Sequence, residues 1–284
     1  MTKEPSPAPG GHPADTAGSR LRADSLTLRY GRRTVVEDLD LVVPAGSFTV
    51  VIGPNACGKS TLLRALAGLL PPTAGTVVLD GADIASYPPR ETARRLGLLP
   101  QTATAPEGIT VAELVSRGRY AHQRVLRQWS REDEQAVVDA LAATGVDELS
   151  ARRVEELSGG QRQRVWIAMV LAQETPLILL DEPTTYLDIA HQIDVLNLLH
   201  DLNRQGRTVV AVLHDLNHAA RYATHVVAMK DGRITASGAP GETITADLVR
   251  EVFGLPGIVI PDPVTGTPLV VPADTRTAGS AAGT

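Results

Sequence analysis

Apolar and polar side chains alternate over much of the first third of the chain. Leu26 and Leu28 have polar neighbours, as do Leu39, Leu41 and Val43, and Thr76-Val77-Val78-Leu79 runs into the turn pair Asp80-Gly81. Period-two alternation predicts half-buried strands, so residues 21–79 read mostly as strand. Phe48-Thr49-Val50-Val51-Ile52 breaks the alternation, being apolar throughout apart from Thr49. Leu177-Ile178-Leu179-Leu180 and Val209-Val210-Ala211-Val212-Leu213 are runs of the same kind. Such runs suit strands covered on both faces, as in a parallel sheet flanked by helices. Between the last two, Ile189, Ile193, Leu196, Leu199 and Leu202 fall on one helical stripe that ends at Gly206. Strand, helix, strand in that order predicts a right-handed parallel crossover.

The middle of the chain, roughly residues 102–173, has a helical period. Ser130-Arg131-Glu132-Asp133 fits a helix start, and Val137, Val138 and Leu141 follow at helical spacing. This segment reads as a helical subdomain inserted into an α/β core that spans residues 21–257. Residues 226–236 predict a hairpin turning at Asp231-Gly232, and a short helix is expected over 247–253. Residues 1–20 are rich in Pro, Gly, Ala and Ser without an apolar run, which predicts a disordered tail rather than a secretory signal. Residues 258–284 read as an extension, flexible after about 272.

Composition narrows the classes. The 284 residues carry 43% hydrophobic and 21% charged side chains, with a formal charge of −5. Binding to nucleic acid rests on phosphate neutralisation by Lys and Arg, so this balance gives it little support. No run of about 18 uncharged apolar residues predicts a membrane span. The single cysteine, Cys57, excludes an intrachain disulfide and points to a reducing compartment.

The strongest chemical signal is Gly53-Pro54-Asn55-Ala56-Cys57-Gly58-Lys59-Ser60-Thr61, set between the buried strand ending at Ile52 and a helix expected over 62–70. It fits G-x-x-x-x-G-K-[ST], a loop whose backbone N–H groups and following helix N-terminus cradle phosphates. Small side chains let phosphate approach the backbone; Lys59 would reach the β and γ phosphates and Ser60 would ligate Mg²⁺. Alanine at position 56 costs about 1 kcal/mol if the backbone there is left-handed; the pattern leaves this position free, and tolerance is expected. Cys57, near a helix N-terminus, is expected to be a reactive thiol facing the phosphate site. Asp181 and Glu182 follow a buried strand, where ligands bind in open α/β folds. Asp181 is placed to hold Mg²⁺ and Glu182 to polarise an attacking water, although either alone would also serve to cap the next helix. Ser158-Gly159-Gly160-Gln161 opens a helical run over 162–172 and makes a second phosphate-cradling helix start.

These motifs in this order resemble the ATP-binding cassette subunits of ABC transporters over roughly residues 21–255. The resemblance implies an ABC-type phosphate-loop ATPase core with an N-terminal antiparallel β subdomain and the inserted helical subdomain. It implies that Tyr30 stacks on adenine and that Gln101 senses Mg²⁺ and the attacking water and links to the transmembrane partner. It also implies that His214 contacts the γ-phosphate, while Ser158 and Gly160 contact the γ-phosphate held by a second copy of the chain. Leu187-Asp188 matches the loop that crosses the interface between the copies. ATP and Mg²⁺ are the implied cofactors, and nucleic acid is not an implied partner. A separate membrane permease and, indirectly, a substrate-binding lipoprotein are the other implied partners, with the chain peripheral on the cytoplasmic face of the membrane. Gly118-Arg119-Tyr120-Ala121-His122-Gln123, the stretch from Asp181 to Gln192, and Pro261-Asp262-Pro263-Val264-Thr265-Gly266-Thr267-Pro268 resemble importers of ferric siderophores. Subunits of haem and cobalamin importers share much of this pattern. The arginines at 117, 119, 124 and 127 either dock a membrane partner or form a solvated helix face. DNA-repair and chromosome-organising members of the family resembled place long coiled coils between the phosphate loop and the second motif, whereas the segment from Lys59 to Ser158 here has no heptads.

Overall fold

The computed structural model describes residues 19–123 and 129–274. In chain order the elements begin with β1 (Ser19–Tyr30), β2 (Arg33–Pro44), β3 (Phe48–Ile52), α1 (Lys59–Leu66), β4 (Ala74–Leu79) and β5 (Ala82–Asp83). There follow α2 (Pro89–Arg95), β6 (Leu96–Leu99), α3 (Val111–Ser116), α4 (Arg131–Ala143), α5 (Gly159–Leu171) and β7 (Leu177–Asp181). The chain continues through α6 (Ile189–Arg204), β8 (Thr208–Val212), α7 (Leu216–Tyr222), β9 (His225–Lys230) and β10 (Arg233–Gly238). It closes with α8 (Pro240–Thr243), α9 (Ala246–Phe253), β11 (Gly257–Pro261) and β12 (Pro268–Pro272).

The continuous apolar runs became the centre of a six-stranded sheet ordered β10-β9-β3-β8-β7-β6. β9, β3, β8, β7 and β6 are parallel, and β10 joins the edge antiparallel through the hairpin at Asp231-Gly232. Every residue of β3, β7 and β8 is buried. Alternate side chains explain why: Val50, Ile178, Leu180, Val209 and Ala211 join one core with α5 and α6. Val51, Leu177, Leu179, Val210 and Val212 join another with α1 and the inner face of β1 and β2. A strand that feeds two cores has no polar face to show in its sequence. The alternating segments instead pair as the antiparallel sheet β2-β1-β4-β5.

Three helices of the inserted subdomain start on capping boxes, Thr110 with Glu113, Ser130 with Asp133 and Ser158 with Gln161. Each box satisfies N–H groups that the first turn leaves free. Arg119 does not dock a partner, as the charge pattern allowed. It is buried, with Nε on Asp133 Oδ1 at 2.9 Å and Nη1 on Ala172 O and Glu174 Oε2 at 2.8 and 2.7 Å. A buried guanidinium needs all of its N–H groups matched, and here it clamps the end of α5 to the start of α4. Arg117 is exposed, and Arg124 and Arg127 lie outside the described residues.

Four expectations shift. β1 starts at Ser19, inside the segment read as tail, because Arg20 pairs with Asp80 through two bonds of 2.9 and 3.0 Å. The helix after the phosphate loop runs over Lys59–Leu66 and stops before Gly68. β6 and α2 were not read as elements; four residues are too few to show a period. Ile189 and Val138, placed on apolar helix stripes, are 77% and 51% exposed. α6 buries Val195, Leu196, Leu199 and Leu202 instead, and α4 buries Ala136, Val137, Ala140 and Leu141.

The segment after Phe253 folds back as a β11–β12 hairpin whose Val270 packs into the main core. Asp262 anchors it: its carboxylate accepts from Arg221 Nη2 at 2.7 Å and from the Val264 and Thr265 amides at 2.8 and 3.2 Å. The Arg221 guanidinium, with those amides, lowers the Asp262 carboxyl to about 2 from an ordinary value of 3.8. A carboxyl depressed in this way stabilises the fold above its unfolded pKa and loses that contribution as pH falls through its folded pKa. Asp262→Asn is therefore expected to lower Tm by a constant amount above about pH 4, with the difference shrinking as pH falls toward about 2. Thermal melts of the two proteins across that range check it.

Candidate active site

The parallel strands all end on one edge, and each hands the chain to a polar segment there. β3 leads into the phosphate loop, β6 into Pro100-Gln101, β7 into Asp181-Glu182, and β8 into Leu213-His214. Strands buried on both faces cannot hold charge along their length, so polar groups gather where the apolar layers end. A cavity of about 750 Å³ opens at this edge, lined by Tyr30, Asn55, Ala56, Gly58, Lys59, Ser60, Thr61, Gln101, Glu182 and His214. The structure thus brings together most residues singled out from sequence. Arg33 and Val35 of β2 also line it and were missed. Arg33 pairs with Tyr30 across the hairpin turn, so a cation three residues beyond the aromatic was the available signal.

Lys59 Nζ donates to the carbonyls of Gly53 and Pro54, both at 2.8 Å, which holds the ammonium over the loop. Ser60 Oγ donates to Asp181 Oδ1 at 3.0 Å. Burial pushes the Asp181 carboxyl above the usual carboxylate range and Glu182 beside it adds to this, while the Ser60 hydroxyl and Lys59 oppose. A hydroxyl and a carboxylate side by side at a phosphate loop, with the Gln101 amide on the cavity wall, are hard oxygen donors that fit Mg²⁺. Glu182 Oε1 lies 2.7 Å from His214 Nε2.

The structure corrects three details of the loop. Its glycines serve packing as well as phosphate approach. A Cβ on Gly53 would collide with the Met229 carbonyl, and one on Gly58, at φ 108°, would come within 3.1 Å of the Val35 carbonyl. Ala56 does adopt a left-handed backbone, φ 61°, so the strain treated as conditional is present. Cys57 does not line the cavity: it is buried in the core beneath the loop, and burial pushes its thiol up, against the pull of Lys59.

Ser158, Gly160 and Gln161 are not among the cavity's lining residues either. Ser158 caps α5, accepting from Gln161 N at 3.2 Å, and Gly159 lies against Tyr186 beside a separate cavity of about 320 Å³. The second glycine-rich helix start, exposed at Ser158 and Gly159, therefore stays outside the cavity that the loop of its own chain lines.

Fold and site together define a phosphate-loop nucleoside triphosphatase. The model of the ABC transporter family matches residues 36–185. The ferric enterobactin transport ATP-binding protein of Escherichia coli K12 is 58% identical over 93% of this chain and 97% of its own. A probable siderophore transport system ATP-binding protein of Bacillus subtilis 168 is 55% identical over 89% and 93%. Among solved structures, an inward-facing transporter described as of the metal-chelate type superposes with a TM-score of 0.77 at 30% identity, covering 92% of this chain and 99% of that one. The chain belongs to the ABC transporter family. It is an ATP-hydrolysing subunit of that family.

Two measurements test the loop. Native protein treated with a maleimide at neutral pH should label slowly and urea-unfolded protein at once, by mass, because the thiol is buried and protonated. Ala56→Gly should raise the urea-unfolding free energy by about 1 kcal/mol while leaving the Kd for ATP within about twofold, since the loop already holds the strained shape.

Proposed function

We propose that the chain energises import of a ferric siderophore or similar iron complex through a separate membrane permease. The observation that carries the ATPase half is the convergence of Lys59, Ser60, Glu182 and His214 on one cavity, with Asp181 bonded to Ser60. Iron-complex cargo is supported by the relatives' siderophore functions over nearly their full lengths.

In this reading the Lys59 ammonium exchanges the Gly53 and Pro54 carbonyls for the β and γ phosphates. Ser60 and Asp181, with Gln101, would hold Mg²⁺, which when bound would supply positive charge against the phosphates. Tyr30 lays its ring on adenine, and Arg33 adds a cation beside it. Glu182 accepts a proton from the attacking water while His214 holds the carboxylate and reaches the γ-phosphate. Because the exposed start of α5 does not line the cavity of its own chain, Ser158, Gly159, Gly160 and Gln161 serve the nucleotide of a second copy in this reading. The functional unit is then a dimer with two nucleotides between the copies. Among the described residues no helix is long and apolar enough to cross a membrane, which fits a peripheral subunit on the cytoplasmic face. A substrate-binding lipoprotein completes the system.

Glu182→Gln should keep nucleotide binding while turnover at saturating ATP falls by about 10²-fold or more. Cells carrying the variant with its permease should lose uptake of a radiolabelled ferric catecholate. Turnover within twofold of wild type would remove Glu182 from this role. Uptake of haem or cobalamin in place of the catecholate would reassign the cargo.

A further inference from the structure

The turn after β7 holds Glu182 in an unusual way. Glu182 takes a left-handed backbone, φ 55°, and the Thr185 amide donates back to its carbonyl at 3.2 Å, closing a tight turn. The turn is fixed from outside by Gln163 of α5, whose Nε2 donates to the Pro183 carbonyl at 3.1 Å. Within it, the Glu182 carboxylate has a separate anchor on each oxygen. Oε1 meets His214 Nε2 at 2.7 Å, and Oε2 accepts from Thr185 Oγ1 at 3.2 Å.

We propose that Thr185 is a positioning residue for ATP hydrolysis, its hydroxyl fixing the plane of the Glu182 carboxylate that receives the proton of the attacking water. The proposal rests on the reading of Glu182 as that base. The terminal torsion of a glutamate side chain is broad and roughly two-fold, so one anchor leaves the carboxylate free to rotate about it. A second anchor on the other oxygen removes that freedom and presents a lone pair in a constant direction. Thr185 does not line the nucleotide cavity, so its effect passes through Glu182 and not through contact with nucleotide.

The test separates the hydroxyl from the packing. Thr185→Val keeps the shape and loses the hydroxyl, whereas Thr185→Ser keeps the hydroxyl and loses the methyl. ATPase kinetics of the purified protein should show kcat of Thr185→Val lower by about tenfold with KM for ATP within about twofold, the mark of an interaction needed for turnover and not for binding. Thr185→Ser should run within about twofold of wild type. Equal losses in both variants, or a raised KM at unchanged kcat, would mean packing or nucleotide contact and would overturn the proposal. Glu182→Gln in the same assay keeps the two readings apart. If it stays active, Glu182 is not the base and the Thr185 proposal falls with it. If it is inactive while Thr185→Val turns over at the wild-type rate, Thr185 alone loses its role.

Discussion

Burial of the central sheet on both faces is the constraint from which the site follows. β3, β7 and β8 are buried along their whole length, and a charge inside either apolar layer would cost several kcal/mol without a partner. Charged groups are therefore confined to where the strands end. Parallel pairing then brings those ends to one side, so residues as far apart as Asn55, Lys59, Gln101, Glu182 and His214 border one cavity.

The phosphate loop is held from behind by the sheet beneath it and by the neighbouring hairpin. Gly53 and Gly58 leave no room for a Cβ against the Met229 carbonyl of β9 and Val35 of β2, and the Gly232 amide donates to the Cys57 carbonyl at 3.0 Å. Three non-glycine residues around the site carry positive φ: Ala56 at 61°, Glu182 at 55° and Tyr186 at 67°. Each costs about 1–2 kcal/mol as a left-handed backbone, and such positions persist only where the surroundings over-determine them. The surroundings here do so: Cys57 fills the core under the loop, and Gln163 together with Thr185 closes the turn around Glu182. The strained backbone gives directed groups, with a carboxylate hydrogen-bonded by Thr185 at one oxygen and 2.7 Å from His214 at the other, and an ammonium already over the loop.

Strong local signals were legible. The phosphate loop declared itself because its glycines, lysine and serine are required at fixed spacing, and the buried strands because their runs are apolar apart from Thr49. Weak or long-range features were not. β6 has four residues and is a strand only because β7 lies beside it. Arg119 looked like one of several surface arginines, and its partners Asp133 and Glu174 meet it only once α4 and α5 have packed. Ile189 sits on the apolar stripe of α6 by spacing, yet it is the first residue of the helix and 77% exposed.

By itself the sequence determined the class of fold, the triphosphatase motifs and the order of the elements. Those depend on residue type at short spacing, which local backbone sterics and hydrophobic periodicity translate directly. Only the tertiary structure decided which way side chains face and which backbones are strained. Cys57 turned inward, Ala56 took a left-handed backbone, and the Ser158 helix start stayed outside the cavity of its own chain. The loop lies against atoms far away in the chain, at Met229 and Val35, and pattern at short range carries no information about where they come to lie.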